Sequence, residues 1–191
     1  MEVKQLEFDT VKQIYEEHLT KDFIPAEQKP LVVLHILMKL GLYFCYGLYD
    51  ENQLKGYAFF CTGDNKKKDA LLLDYFVVLD GLRGKGYGSE FMKLLKEELS
   101  EYGMILGEVE WVKEKKEGQV DSIKEKRQQF YLRNGWMITS LEVDLFGERL
   151  QIYQLPIRSQ GTESKVYEEL NRIYDKMFYE KQVRERVLLR K

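Results

Sequence analysis

The sequence predicts a mixed α/β (α+β) fold built on a twisted, mostly antiparallel sheet, and three observations carry that reading. Short apolar runs rich in aromatic and β-branched residues alternate with segments of helical period, so strands and helices interleave. Two pairs of such runs, Leu42 to Tyr49 with Gly56 to Thr62 and Trp136 to Leu145 with Leu150 to Pro156, are separated by turn residues, as in hairpins. The 191 residues, 44% apolar and 13% aromatic, suffice for one well-filled core.

Val3 to Phe8 alternates apolar and polar residues and reads as the first strand. Thr10-x-x-Gln13 has the form of a capping box opening a helix with Val11, Ile14, Tyr15, His18 and Leu19 on one face. His18 there reads as a packed core residue. Pro25 and Pro30 punctuate the next connection, and Pro30 starts a second helix, Leu31 to Leu40, stopped by Gly41. That helix is apolar almost all round, with only His35 and Lys39 as a polar stripe, which predicts burial. The first hairpin turns at Asp50-Glu51-Asn52, and Asn65 to Asp69 forms a second turn before the central strand, Ala70 to Leu79.

A glycine-rich turn follows, then a helix with Phe91, Leu94, Leu95, Leu99 and Tyr102 on one face and Gly103 as its stop. Met104 to Val112 is the next strand, with Glu108 and Glu110 on one side and Val109 and Trp111 on the other. Lys113 to Val120 reads as a charged loop, and Ser122-x-x-Glu125 as the capping box of a helix ending at Gly135. After the second hairpin, Ser159-Gln160-Gly161 resembles a linker. Thr162 to Lys191 then reads as one long, exposed helix with a stripe of Val166, Leu170, Ile173, Tyr174, Met177 and Phe178. Glu168/Arg172 and Glu180/Arg184 form favourable pairs along it. The organisation is therefore a domain over 1–158 and a C-terminal helical extension over 159–191. The stripe would pack either on the domain or on a second copy of the chain, as in a homodimer.

A net charge of −2 supplies no field that would draw the chain to nucleic acid or to an anionic membrane. Cys45 and Cys61 sit in apolar strand runs, as small buried residues with free thiols do. Neither His18 nor His35 pairs with cysteine at metal-ligand spacing, so no metal is expected. No apolar run is long enough to span a bilayer, and the start of the chain lacks the form of a signal peptide. A soluble cytoplasmic protein is expected.

The turn between strand and helix carries Gly81, Gly84, Gly86 and Gly88. Glycines let the backbone take φ > 0 and lie directly against a ligand, and a helix start aims N–H groups at one point, an arrangement suited to phosphate. The spacing excludes the dinucleotide fingerprint, because Ser89 stands where its third glycine belongs. It also excludes the P-loop, because Lys85 is followed by Gly86 rather than Ser or Thr.

The pattern Arg83-x-x-Gly86-x-Gly88, with its preceding strand, resembles the pyrophosphate-binding signature of the GNAT superfamily of acyl-CoA-dependent N-acyltransferases. Arg127-Gln-Gln-Phe130-Tyr131-Leu-Arg-Asn-Gly135-Trp136 resembles that superfamily's second hallmark, a helix with Tyr four residues before a Gly-aromatic pair. The resemblance covers Val3 to Pro156. It implies that the central strand and the strand from Met104 run parallel and splay into a V. The pantetheine arm of acetyl-CoA would lie there against Phe76, Val77 and Val78, while the main chain of Arg83, Gly84, Lys85, Gly86, Tyr87, Gly88 and Ser89 holds the pyrophosphate. Tyr131 matches the general acid that protonates the departing thiolate. The chain lacks the Asn that many members carry shortly after the second arm, having Lys113 to Gln119 instead.

In the resembled fold the first two helices border the acceptor groove, so exposed apolar residues of Leu31 to Leu40 would line a substrate pocket. With Glu108 and Glu110 on one face of the second arm of the V and Asp74 on the central strand, Glu108, then Asp74, then Glu110 are the candidates to take a proton from an amine or to hold a cationic acceptor. The expectation is an N-acetyltransferase moving acetyl from acetyl-CoA to a primary amine, of a small molecule or a peptide, by direct attack in a ternary complex. The alternative is a non-catalytic acyl-CoA-binding or regulatory module on the same scaffold.

Overall fold

Two tight turns show how the local sequence sets the sheet. Glu51 and Asn52 both adopt positive φ, as do Phe146 and Gly147. Each pair forms the two-residue connection whose twist suits adjacent antiparallel strands. The computed structural model describes residues 1–111 and 122–190. The charged loop expected at Lys113 to Val120 and the capping side chain of Ser122 lie outside the residues whose placement is described.

Strands β1 (Glu2–Gln5), β2 (Tyr43–Asp50), β3 (Gln53–Cys61), β4 (Ala70–Val78), β5 (Met104–Glu110), β6 (Met137–Leu145), β7 (Glu148–Pro156) and β8 (Val187–Arg190) join in one eight-stranded sheet. Its order is β1-β2-β3-β4-β5-β7-β6-β8. Every adjacent pair is antiparallel except β4 with β5. On one face lie α1 (Phe8–Ile14), α3 (Leu31–Lys39) and α6 (Glu163–Met177), whose Val11, Leu34, Val166, Leu170 and Ile173 share a core with Leu72, Tyr75 and Leu106. On the other, Phe91, Met92 and Leu95 of α4 (Tyr87–Glu98) pack with Leu71, Leu73, Ile105 and Val109, flanked by Phe130 and Tyr131 of α5 (Ser122–Arg133).

A bulge in β4 positions everything that follows. Phe59 pairs with Tyr75 but Phe60 pairs with Leu73, so Asp74 is an extra residue without a partner. The alternation of side chains changes phase there: Leu72 and Tyr75 face the α1/α3/α6 core, whereas Leu73 and Phe76 face the α4/α5 core. The parallel β4–β5 ladder ends at the same level, its last pair being Leu73 with Gly107. Beyond it β4 stays on β3 and β5 stays on β7, so the two strands part.

Several elements differ from the sequence reading. β1 stops at Gln5 and α1 begins at Phe8, whose ring stacks on His35 at 3.7 Å. The cap position is Glu7, without a side-chain bond, so Thr10 does not open this helix. A π-helical segment, Tyr15–Leu19, leads into α2 (Thr20–Asp22), and His18 is only half-buried within it. α3 buries only Leu34 and Leu37, leaving Val32, Ile36 and Leu40 exposed.

The largest difference is at the C-terminus. In place of one long exposed helix, α6 ends at Met177, a short α7 (Lys181–Arg184) follows, and β8 pairs with β6. Val166, Leu170, Ile173, Tyr174 and Met177 are core residues, so burying that stripe takes precedence over prolonging the helix. Thr162 caps α6 by accepting from the Lys165 amide at 3.3 Å. The ion pairs also differ from expectation: Arg172 meets Glu169 at 2.6 Å, and Arg184 meets Asp175 at 2.7 Å. Among the described residues no helix is long and apolar enough to cross a membrane.

Candidate active site

The glycine turn leaves β4 at the mouth of the splay. Gly81, Gly84 and Gly86 have φ of +77°, +78° and +88°, a region that disfavours side chains. A Cβ at any of the three would meet none of the described residues within 4 Å. The positive φ is thus required by the turn, and no described residue obstructs the bare surface it exposes. Gly88 differs: a Cβ there would stand 3.1 Å from the Phe130 ring and 3.5 Å from Val78 Cγ2. α4 is therefore seated closely against α5 and β4.

Within the turn, Leu82 N bonds Leu79 O at 3.1 Å and Lys85 N reaches Leu82 O at 3.4 Å. Among the described residues, the amides of Arg83, Gly84, Gly86, Tyr87, Gly88 and Ser89 donate to no acceptor. Those of Gly86, Tyr87, Gly88 and Ser89 are the free donors of a helix start, where the peptide dipoles leave partial positive charge, and those of Arg83 and Gly84 belong to the turn before it. Arg83 is exposed; its Nε donates to Val78 O at 3.2 Å and its guanidinium lies 3.2 Å from Asp80. Lys85 and Ser89 are exposed, and the Tyr87 hydroxyl approaches Asp50 at 3.4 Å.

Beside the turn, Phe76 lies between Phe91 at 5.4 Å and Phe130 at 5.7 Å, while Val77 is buried in the opposite core. Among the described residues, the edge of β4 that faces β5 has no strand partner beyond Leu73. Tyr131 is on the α4/α5 side. Its ring meets Trp136 edge-on at 5.1 Å and Tyr153 at 6.3 Å. Burial pushes the Tyr131 hydroxyl above its ordinary pKa, with Arg127 pulling it back. Gly135, at φ +86°, closes α5, and Trp136 N bonds back to Tyr131 O at 3.1 Å. That cap fixes Tyr131 and Trp136 relative to each other. The Trp136 ring in turn lies where a Cβ on Gly107 would be, at 2.8 Å.

The three candidate carboxylates do not share one environment. Asp74, the bulge residue, accepts from Lys29 Nζ at 2.6 Å and from the Tyr43 hydroxyl. Lys29 is half-buried, with Nζ 5.5 Å from the Tyr75 ring centre and 5.6 Å from that of Phe178. Burial pulls its pKa down, but Asp74 and Tyr75 outweigh that, leaving it above the ordinary value and the side chain cationic. Glu108 is different: its Oε1 accepts from the Tyr174 hydroxyl at 2.5 Å, and burial, with nearby Asp74, raises its pKa to about 7 against the pull of Tyr174 and Lys29. Glu110 lies apart, paired with Arg127 at 2.7 Å and Lys124 at 3.1 Å. The structure thus gathers Asp74 and Glu108 on the α1/α3/α6 side and separates Glu110.

Lys29, Tyr43 and Tyr174 are absent from the sequence-based site. Lys29 sits between two prolines like a solvated loop residue, and Tyr174 belongs to an apolar stripe that gives no sign of polar work. Among the described residues no group of three or more His, Cys, Asp or Glu could hold a metal ion.

The parting parallel pair and the open glycine turn at a helix start are what the resemblance to the acyltransferase superfamily implies. Residues 9–135 match the model of the acetyltransferase (GNAT) family, and the chain belongs to that family. No curated protein matches it significantly. Solved structures share the fold at low identity. A chain described as a GNAT-family acetyltransferase from Bacteroides thetaiotaomicron superposes with a TM-score of 0.67 at 20% identity, over 88% of this chain and 92% of that one. A chimera of Vibrio cholerae spermidine N-acetyltransferase SpeG and hSSAT gives 0.61 at 11%, over 82% and 96%. An aminoglycoside 6'-N-acetyltransferase complexed with coenzyme A gives 0.60 at 14%, over 85% and 100%.

Proposed function

We propose that the protein is an N-acetyltransferase that moves acetyl from acetyl-CoA to a primary amine by direct attack in a ternary complex. The carrying observation is the open row of main-chain donors from Arg83 to Ser89, beside the point where β4 and β5 part. Four free amides at the helix start and two in the turn before it suit a diphosphate, with Arg83 and Lys85 adding charge at the rim. The edge of β4 at Phe76, Val77 and Val78, without a strand partner on the β5 side among the described residues, offers main-chain groups to a pantetheine arm and to the oxyanion formed on its thioester.

The remaining roles divide across the sheet. Glu108, with a pKa of about 7, takes a proton from the amine on the α1/α3/α6 side. Tyr131, on the α4/α5 side, protonates the departing thiolate. Asp74 is committed to Lys29 and Tyr43, so it orders the site; Glu110 is peripheral. Two carboxylates on that side, Glu108 and Asp74, favour a cationic acceptor, in keeping with the spermidine and aminoglycoside acetyltransferases among the structural neighbours. The protein would work as a soluble cytoplasmic enzyme.

Thermal melting tests the reading. A ligand held only by the folded state at a hundred times its dissociation constant adds about 2.7 kcal/mol, a rise of about 5–10 °C for a chain of this size. Acetyl-CoA must raise the melting temperature, while ATP and NAD at equal concentration must not. Tyr131→Phe must keep that rise and lose at least ten-fold in turnover of an amine that the wild type acetylates. Acetyl-CoA binding with no acetylation across polyamines, aminoglycosides and peptide amines would instead make the protein a non-catalytic acyl-CoA-binding module.

A further inference from the structure

Tyr174 is fully buried, at 0% exposure, on a helix the family match does not reach. Its ring is held by Phe178, tilted at 6.0 Å, and by the Arg184 guanidinium at 5.8 Å. Arg184 is itself fixed by Asp175 at 2.7 Å, Asn171 at 2.8 Å and Val187 O at 2.8 Å. The N-terminal half of α6 is tied down as well, Lys165 bridging Asp69 at 2.9 Å and Glu169 at 3.0 Å. The phenol therefore has little freedom, and it donates to Glu108 Oε1 at 2.5 Å across 66 residues of sequence. Phe would fill the same space in an apolar core, so the hydroxyl is there for its partner. Among the described residues Glu108 Oε2 carries no hydrogen bond, which leaves that oxygen for an incoming proton.

Resting on the reading of Glu108 as the base, we propose that Tyr174 is a positioning residue: it fixes the Glu108 carboxylate and makes the C-terminal helix part of the acceptor side of the site. A phenol that donates to a carboxylate favours its charged form. The groups that face Glu108 are Tyr174 from α6, Asp74 from β4 and Lys29 from the connection before α3; Asp74 favours the proton, and Tyr174 and Lys29 oppose it. Removing the hydroxyl must therefore make Glu108 harder to ionise. It must also free the carboxylate to rotate, with no effect on the distant glycine turn.

The test uses the full chain with glutamate labelled at the side-chain carboxyl carbon, followed by NMR against pH, with Glu108→Gln identifying the signal. In Tyr174→Phe the Glu108 midpoint should rise by about one pH unit. With spermidine, an aminoglycoside or a peptide amine, whichever the wild type acetylates, kcat should fall about ten-fold. The acidic limb should move up in parallel, with KM for acetyl-CoA unchanged. Should Tyr174→Phe fail to fold, 3-fluorotyrosine placed at 174 keeps the ring and strengthens the donor, so the midpoint should move down. A midpoint unmoved in a folded variant overturns the role of Tyr174 while leaving Glu108 as base. Glu108→Gln with wild-type turnover and an intact acidic limb overturns the reading of Glu108 itself, and this proposal with it.

Discussion

Lys29 Nζ and Asp74 Oδ1 stand 2.6 Å apart, both largely out of solvent. The pair ties the connection before α3 to the bulge of β4, beside Tyr75, whose hydroxyl accepts from Lys29 N at 2.9 Å and donates to Glu27 O at 2.6 Å. A buried ion pair contributes little over an apolar pair, but losing one partner strands the other charge. Lys29→Met should therefore destabilise the fold by about 3–5 kcal/mol. Lys29→Met with Asp74→Asn should recover part of that loss. Denaturant midpoints of the two single variants and the double variant measure this coupling.

Glu108 makes stability depend on pH in the direction opposite to an ordinary salt-bridged carboxylate. Its pKa is raised to about 7 in the fold, so the folded chain binds this proton more tightly than the unfolded one. The stabilisation is present below the usual carboxylate range and is lost as pH rises through about 7. Across that window the loss is about 3 kcal/mol. Glu108→Gln should remove the slope, leaving the variant close to wild type at pH 5 and more stable at pH 8. Urea titrations of both proteins at the two pH values read the difference directly.

The glycine turn separates binding from folding. Ala at Gly84 or Gly86 meets no neighbour but must hold positive φ, which costs about 1–2 kcal/mol. The added methyl stands on the face where the amides are open, so acetyl-CoA affinity measured by calorimetry should fall at least ten-fold. Gly88→Ala presses on Phe130 at 3.1 Å instead. It should lower the melting temperature further than either of the other two.

This turn was legible in sequence because glycine spacing answers to a local demand, positive φ at fixed positions, and the backbone meets that demand at Gly81, Gly84 and Gly86. The Gly135-Trp136 pair was legible for the same reason, through the cap that closes α5. The alternating and antiparallel elements followed from period and turn residues. What stayed hidden depends on contacts distant in sequence. Nothing near Lys29 announces Asp74, 45 residues on, and Tyr174 reads as one more apolar position. The end of α6 was missed because neither Gly nor Pro marks it; Phe178 leaves the helix at φ −115°, ψ 63° to follow its ring packing against Phe146. For α3 composition supports burial and the resemblance an exposed apolar lining: Leu34 and Leu37 are buried, while Val32, Ile36 and, just past the helix, Leu40 face out.

The C-terminal segment offers the sharpest test of the architecture. α6 buries Val166, Leu170, Ile173, Tyr174 and Met177 against the sheet. At about 1.5–3 kcal/mol for each large apolar side chain, the sum is on the order of 10 kcal/mol, comparable with the whole stability of a domain. A chain ending at Arg158 should therefore lose its cooperative thermal transition and bind a hydrophobic dye. A chain ending at Phe178 keeps α6 and loses only α7 and β8, whose ladder with β6 runs from Glu142–Arg190 to Leu145–Val187. It should melt cooperatively at a lower temperature and still be stabilised by acetyl-CoA, because the glycine turn lies on the far side of β4 from that edge. A cooperative transition in the chain ending at Arg158 would mean that α1, α3 and the sheet close their core without α6, and Glu108 would then face solvent with its pKa returned to the ordinary range.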